Sequence, residues 1–491
     1  MSLALLPLDE RPVNLQLPAD VAAITGTALH TPPPEILPRG RTPGDRDALS
    51  RWLDAQAAGG AQELIVSVDM LMHGGLIASR LSGEELPHSI ARLEQLRRLR
   101  HTYPGLGLHA MALVQRAPDS YVAVEEPEYW AEHGRQLHAL GAQLHRRLDE
   151  TGIPPLQDLT SVPATVVSDF ESRRLRNHML NLYVLHLAEE NVLTSLALTA
   201  DDTAGWSAGS AEQQWLRHWL RALPRARSTA MYPGADEVGA VLVARLLAQR
   251  YGRAPQIQLR CADSAALART PPYENQRLEE SLTQQLLMAG AEPAGADPDA
   301  VLVVHAPAAD GHDMNDGPPS HPDPAAAHAT GRLIEEALGS NQAVSLADVR
   351  YSNGADPLLT DWLAERNLLP HLDAYSAWNT AGNTVGSALA LQVATVLGRA
   401  SGDLDATAHR RALLRRLLDD SLYQSVLRSQ LRGRLGSSAT SRERPEHLDQ
   451  QAPEVAAEMR TALAAWNVED LGVHQVRFPW NRSFEVEIDL H

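Results

Sequence analysis

The chain has 491 residues, 44% hydrophobic, 21% charged and 4% aromatic, and carries a net charge of −18 from 61 acids against 43 bases. That is the composition of a globular protein long enough to bury a sizeable core. It disfavours nucleic acid and anionic membrane surfaces as partners, because both call for a basic stripe that is absent here.

Short apolar runs predict strands near 3–8, 63–68, 107–114, 193–199, 227–231, 256–260, 301–304 and 342–347, with a weaker one near 371–376. Amphipathic helices fall between them. One carries Ile90, Leu93, Leu96 and Leu99, and a second Leu175, Met179, Leu182, Val184 and Leu187. A third runs through Val238, Val241, Leu242, Leu246 and Leu247. Segment 290–330 is rich in Ala, Pro, Asp and Gly and reads as long loops around one strand. Segment 402–470 shows helical periodicity and no strand, and its arginine run from His409 to Arg416 reads as a solvated face over a leucine stripe. The tail alternates at its end like a strand.

Strand–helix alternation with apolar strands predicts an α/β fold. Its sheet is expected to be mainly parallel, of about eight to nine strands, either closed as a barrel or doubly wound. Residues 1–400 are expected to form the catalytic α/β domain. Residues 401–491 are expected to form a helical segment whose terminal strand packs back on the core.

Two absences narrow the chemistry. All 43 bases are arginine, which excludes Schiff-base lysine chemistry and the phosphate-loop lysine. The single cysteine, Cys261, excludes internal disulfides, thiolate zinc sites and iron–sulfur clusters within one chain. No run reaches the roughly 18 apolar residues of a membrane span. The start lacks a basic segment followed by a long apolar one, so a cytoplasmic protein is expected.

In parallel α/β folds ligands bind beyond the carboxyl ends of the strands. The residues that follow the predicted strands are Asp9, Glu10, Arg11 and Asn14, then Asp69, His73 and Arg80, then Gln115, Arg116 and Asp119. Further along come Asp201 and Asp202, then Asp236 and Glu237, then His305. The last strands lead to Asp348, Asn353 and Asp356, and to Trp378, Asn379 and Asn383. Such a set is the expected rim of a polar-ligand pocket, although each member taken singly also suits a turn or helix cap.

Adjacent Asp201 and Asp202 can divide acid and base roles if their surroundings separate their pKa values. Gly205-Trp206-Ser207-Ala208-Gly209 has the spacing of a nucleophile elbow, but it begins several residues past the strand. Ser207 and Ser210 are therefore read as caps of a helix starting near Ala211. Asp310, His312, Asp313 and Asp316 are dense in ligand atoms without calcium-loop spacing. Asn379 to Gly386 reads as an amide-rich lead-in to a helix over 387–397, with Trp378 offering a flat face to a sugar ring.

Four stretches together carry a family likeness: Pro7-Leu8-Asp9-Glu10-Arg11-Pro12-Val13-Asn14, Gly74-Gly75-Leu76-Ile77-Ala78-Ser79-Arg80, Tyr232-Pro233-Gly234-Ala235-Asp236-Glu237 and Trp378-Asn379-Thr380-Ala381-Gly382-Asn383-Thr384. In them the chain resembles a bacterial family catalogued only as a domain of unknown function, from residue 4 to about 390. Phe478-Pro479-Trp480-Asn481-Arg482-Ser483-Phe484 is a further element of the likeness. The resemblance implies no particular activity.

The residues themselves point to a carbohydrate-active, glycosidase-like hydrolase acting on a small-molecule or glycan substrate. One catalytic carboxyl is expected from Asp201 or Asp202 and the other from Asp69, Asp236, Glu237 or Asp348. Asp9, Arg11, Asn14, Arg80, Arg116, Asn353, Trp378, Asn379 and Asn383 would bind substrate. A divalent metal is the one cofactor left open. Asp69, His73, Asp202, His305 and Asp348 would then be ligands in a metal-dependent hydrolase or isomerase. The third reading is a non-catalytic glycan-binding protein. Oligomeric state is undefined by the sequence.

Overall fold

The computed structural model describes residues 2–149, 161–223, 228–295, 297–438, 441, 443–468 and 470–491. The chain divides into two compact units. The first comprises Met1–Glu10, Ala28–Gly239 and Tyr273–Gln276; the second comprises Arg11–Thr27, Ala240–Pro272 and Arg277–His491.

The first unit is built on a six-stranded parallel sheet. Its strands are β1 (Leu3–Leu6), β2 (Leu29–His30), β3 (Glu63–Ser67), β4 (Gly107–Val114), β5 (Ser195–Ala200) and β6 (Thr229–Pro233), in the order β2-β1-β3-β4-β5-β6. Sheets of this kind are covered on both faces, which explains why β1 reads as an unbroken apolar run and why β1 and β5 are buried throughout. The chain winds one way from β1 to β2 and the other way from β3 onward. The strand order thus reverses between β1 and β3, where α/β sheets of this type open a ligand crevice.

The second unit carries a five-stranded parallel sheet. It contains β7 (Gln256–Cys261), β8 (Glu292–Pro293), β9 (Ala300–His305), β10 (Val344–Asp348) and β11 (Ala374–Ser376), in the order β11-β10-β9-β7-β8. An antiparallel hairpin of β12 (Val473–Arg477) and β13 (Glu487–Leu490) completes it. Val301, Val303, Leu346 and Tyr375 of the sheet share one core with Leu413, Leu417 and Tyr423 from the helical segment and with Val476 and Ile488 of the hairpin.

All nine predicted strands are present, though position 227 of the fifth lies outside the described residues. The expectation of one sheet of eight to nine strands is corrected to two sheets, both open among the described residues, so the barrel alternative falls. An apolar run reports that a strand is buried; it does not report which strand lies beside it. The two-residue strands β2 and β8 are too short to show any period.

Other local expectations shift as well. The helix expected over 387–397 begins six residues earlier, as Ala381–Ser401, capped by Thr380, so Asn383 and Gly386 lie within its first turns. The helix after Ser207 spans Ala208–Ala222, and the Ser207 hydroxyl accepts from the Ser210 N–H at 3.0 Å, a cap as expected. Leu175 and Met179 are exposed, while Leu180, Val184 and Leu185 carry the buried stripe of Ala164–Glu189. Segment 402–470 is helical, including a π-helical stretch at Leu417–Leu427. Its arginine run is not wholly a solvated face: Arg415 and Arg416 are buried, the first on Asp20 and the second on Asp419 and Asp420.

Candidate functional site

In the first unit the strand ends bring buried acids and arginines into direct contact. Asp201 and Asp202 follow β5 directly, and Arg116 follows β4 by two residues. Arg80 closes the short helix Leu76–Leu81, and Glu125 and Glu126 come from the long loop beyond Arg116. Arg80 reaches Asp201 at 2.5 Å, Glu125 at 2.7 Å and Glu126 at 3.5 Å. Arg116 reaches Asp202 at 2.7 Å, Glu126 at 2.8 Å and Glu125 at 3.0 Å.

Four carboxyl groups thus share two guanidinium groups, an excess of two negative charges if all ionise. Burial pushes the Asp202 carboxyl up to about 6, with Asp201 adding to the effect, and it also raises Glu126. Protons on these two groups would bring the cluster to neutrality. Asp202 has φ 27, an uncommon backbone for a non-glycine residue and one that recurs at functional sites.

The cluster borders a half-open cleft that communicates with solvent. Arg80, Gln115, Arg116, Glu126, Trp130, Phe170, Arg174 and Glu212 are among its walls. Three polar atoms on these walls are buried and lack a hydrogen-bond partner: Arg80 Nε, Gln115 Oε1 and Trp130 Nε1. Two are donors and one is an acceptor. Trp130 and Phe170 lie with ring centroids 5.9 Å apart. Glu212 receives Arg174 Nε at 2.7 Å, and burial raises its pKa.

Neighbouring strand ends are equally enclosed. Asp69 accepts from Gln115 Nε2 at 2.8 Å, and burial pushes its carboxyl up to about 7 against several hydrogen bonds that favour the anion. Gly74, just past it, has φ 84, and a Cβ there would come within 2.9 Å of the Gly44 backbone. Burial holds His73 down to about 3, helped by the charges of Arg176 and Arg46, so its ring is neutral. Asp9 and Asp236 are buried after β1 and β6. Glu237 accepts from the Ala235 N–H at 3.0 Å, and burial pushes it up to about 8.

At the ends of β9 and β10 the second unit fastens its acids differently. Asp348 accepts from the N–H groups of Arg350 and Asp356 at 3.2 and 2.8 Å, and burial pushes it up to about 6. Asp356 caps the helix Pro357–Glu365 through the Leu358 N–H and meets His305 Nε2 at 3.0 Å; His305 Nδ1 meets Thr330 Oγ1 at 2.8 Å. Asn353, at φ 60, binds Asp313 through Nδ2, and its N–H donates to the Asn379 carbonyl at 2.7 Å. Asn379 is at φ 62. Trp378 is buried edge-on to Phe484, with centroids 6.0 Å apart. Arg11 lies over the Trp480 ring at 4.8 Å and is 3.9 Å from Glu485, while Asn14 and Asn383 are buried in helices.

Of the residues chosen from sequence, Arg80, Arg116, Asp201 and Asp202 are therefore drawn into one bonded cluster. Asp9, Asp69, Asp236 and Glu237 lie at other strand ends of the same sheet. Arg11, Asn14, Asp348, Asn353, Trp378, Asn379 and Asn383 belong to the second unit. Sequence reasoning missed Glu125, Glu126, Trp130, Phe170, Arg174 and Glu212. Only the Glu125–Glu126 pair carried a local signal, as paired acids in the loop after β4. Among the described residues the one grouping of three donors close enough to share an ion is His474, Asp489 and His491; Asp69, His73, Asp202, His305 and Asp348 are not in it.

Fold and site define an α/β protein with two open parallel sheets and a buried acid–arginine cluster beside a cleft at the strand ends of the first. The chain belongs to the family described as "Protein of unknown function (DUF4127)", whose model matches residues 3–489. No curated protein and no solved structure gives a significant match. No helix among the described residues is long and apolar enough to cross a membrane.

Proposed function

We propose that the protein is a carbohydrate-active, glycosidase-like hydrolase. In this reading it works in the cytoplasm on a small-molecule or glycan substrate held in the cleft of the first unit. One observation carries the reading: Arg80 Nε, Gln115 Oε1 and Trp130 Nε1 are buried and unpaired on the walls that also present Glu126 and Glu212. A buried polar atom left unpaired costs roughly 1–3 kcal/mol, so a ligand that draws these three side chains to the cleft surface and pairs them is favoured. Sugar hydroxyls both donate and accept and meet that demand. A carboxylate or phosphate would bring only acceptors to Gln115 Oε1, and an alkyl group would satisfy none of the three. Trp130 and Phe170 supply the apolar surface that a sugar ring needs.

Glycoside cleavage requires one protonated carboxyl and one carboxylate. Glu126 is the general acid, because burial favours its protonated form against the pull of Arg80 and Arg116, with Glu125 adding to the effect. Glu212 is the second carboxyl: its ion pair with Arg174 opposes the rise that burial causes and holds it as the carboxylate that acts as base or nucleophile. Asp201 and Asp202 take up part of the charge of Arg80 and Arg116. The test is a panel of aryl glycosides and oligosaccharides given to wild type, Glu126→Gln and Glu212→Gln, with products separated chromatographically and folding checked by circular dichroism. Wild-type release of a reducing sugar that both variants lose supports the reading. Wild-type activity retained in both variants, or cleavage of esters or amides alone, overturns it.

A further inference from the structure

The hairpin of the second unit carries three metal-ligating side chains that play no part in the proposed chemistry. In β12 and β13, Val473 faces Leu490; the register then shifts, and Gln475 faces Asp489, Val476 faces Ile488 and Arg477 faces Glu487. One extra residue, His474, is accommodated between the first two pairs. Strict alternation would send His474 and Gln475 to opposite faces. Instead Val473 and Val476 are buried and both residues between them are exposed, so the irregularity turns His474 to the outer face. Asp489 and His491, two positions apart on the other strand, share that face. The backbone of His491 is held by a reciprocal pair of hydrogen bonds with Gly472, at 2.7 and 3.1 Å.

These constraints bring the three side chains together. The two imidazole centroids are 4.9 Å apart, His491 Nε2 is 3.5 Å from Asp489 Oδ2, and one ligand atom from each residue lies within 4.8 Å of the others. Arg477 on the same hairpin is paired with Glu487 at 3.1 Å. Two imidazole nitrogens and one carboxylate oxygen suit zinc and its transition-metal neighbours; calcium and magnesium prefer all-oxygen sets.

We propose that His474, Asp489 and His491 form a binding site for a divalent transition metal, zinc foremost, with water completing the coordination. The ion would bridge the two strands at the open end of the hairpin. Val473, Val476, Ile488 and Leu490 on the inner face belong to the core of the second unit, so a bridge there stabilises that unit. The proposal is independent of the hydrolase reading, since it uses neither the cleft nor its residues.

Isothermal titration of the tag-free, metal-stripped full chain with zinc chloride tests it, alongside His474→Ala, His491→Ala and Asp489→Asn. All three positions are on the surface, and circular dichroism confirms that each variant is folded. One zinc ion per chain is expected, with affinity lowered at least about tenfold in either histidine variant. Zinc should raise the melting temperature of wild type and not of those variants, and magnesium should do neither. Absence of zinc binding to wild type, or undiminished binding in either histidine variant, overturns the site.

Discussion

The two parallel sheets solve the same problem in different ways. Each buries carboxyl groups at its strand ends, where ionised acids are costly. The first unit sets acids against arginines, and one of those arginines keeps an unpaired donor on a cleft wall. The second unit sets Asp348 and Asp356 against backbone N–H groups and a histidine, so the acids brace a loop and a helix start. Counter-ions with spare valence can exchange partners with a ligand. Backbone amides committed to a turn cannot do so without unfolding it. The difference separates an acid cluster suited to chemistry from one suited to scaffolding.

The largest effect should come from Glu126→Gln, which is expected to lower kcat about a thousandfold with folding retained, the usual scale for loss of a general acid. Full activity in that variant, with loss in Asp348→Asn, would move the chemistry to the second sheet and reverse the comparison. Next comes Arg80→Met. It leaves Asp201, Glu125 and Glu126 short of a buried counter-ion and should cost roughly 3–5 kcal/mol in urea unfolding. A loss below about 1 kcal/mol would show that the arginines are not what holds these acids.

A pair of amide substitutions sharpens the contrast through pH. The Asp69 carboxyl is raised to about 7 in the folded chain, above the roughly 3.9 of an unfolded aspartate. Its favourable contribution is complete below the lower value and disappears as pH rises through the upper one. Asp69→Asn should therefore flatten the stability profile between about pH 4 and 7. Asp348→Asn should flatten it too, over a window that closes near pH 6. Both Asp348 oxygens accept from the backbone, and an amide offers only one acceptor, so a loss of about 1–3 kcal/mol is expected. Thermal unfolding across pH reads out both variants. Ser207→Ala removes only a helix cap and should cost about 1 kcal/mol with kcat unchanged.

Strands were the most legible part of the fold, because both sheets are buried and segments such as Leu64–Val66 and Val301–Val304 read as continuous apolar runs. Sheet membership was not legible, since pairing depends on crossovers whose direction leaves no periodic mark. The lead-in at Asn379–Gly386 looked like a loop because of its amides and glycines; packing buries its part from Ala381 onward as helix. In the first unit Arg80, Arg116, Asp201 and Asp202 could be read because strand ends announce themselves. Glu212 and Arg174 could not, because they lie within helices and are brought to the cleft by packing between distant elements.

The sharing of two guanidinium groups by four carboxyls has a calorimetric consequence. A hydroxyl that takes up Arg80 Nε polarises the whole bonded set, so occupancy of the cleft is linked to proton exchange with the solvent. Under the proposed reading, the heat of sugar binding should then vary with the ionisation enthalpy of the buffer, and the slope of that dependence counts the protons moved.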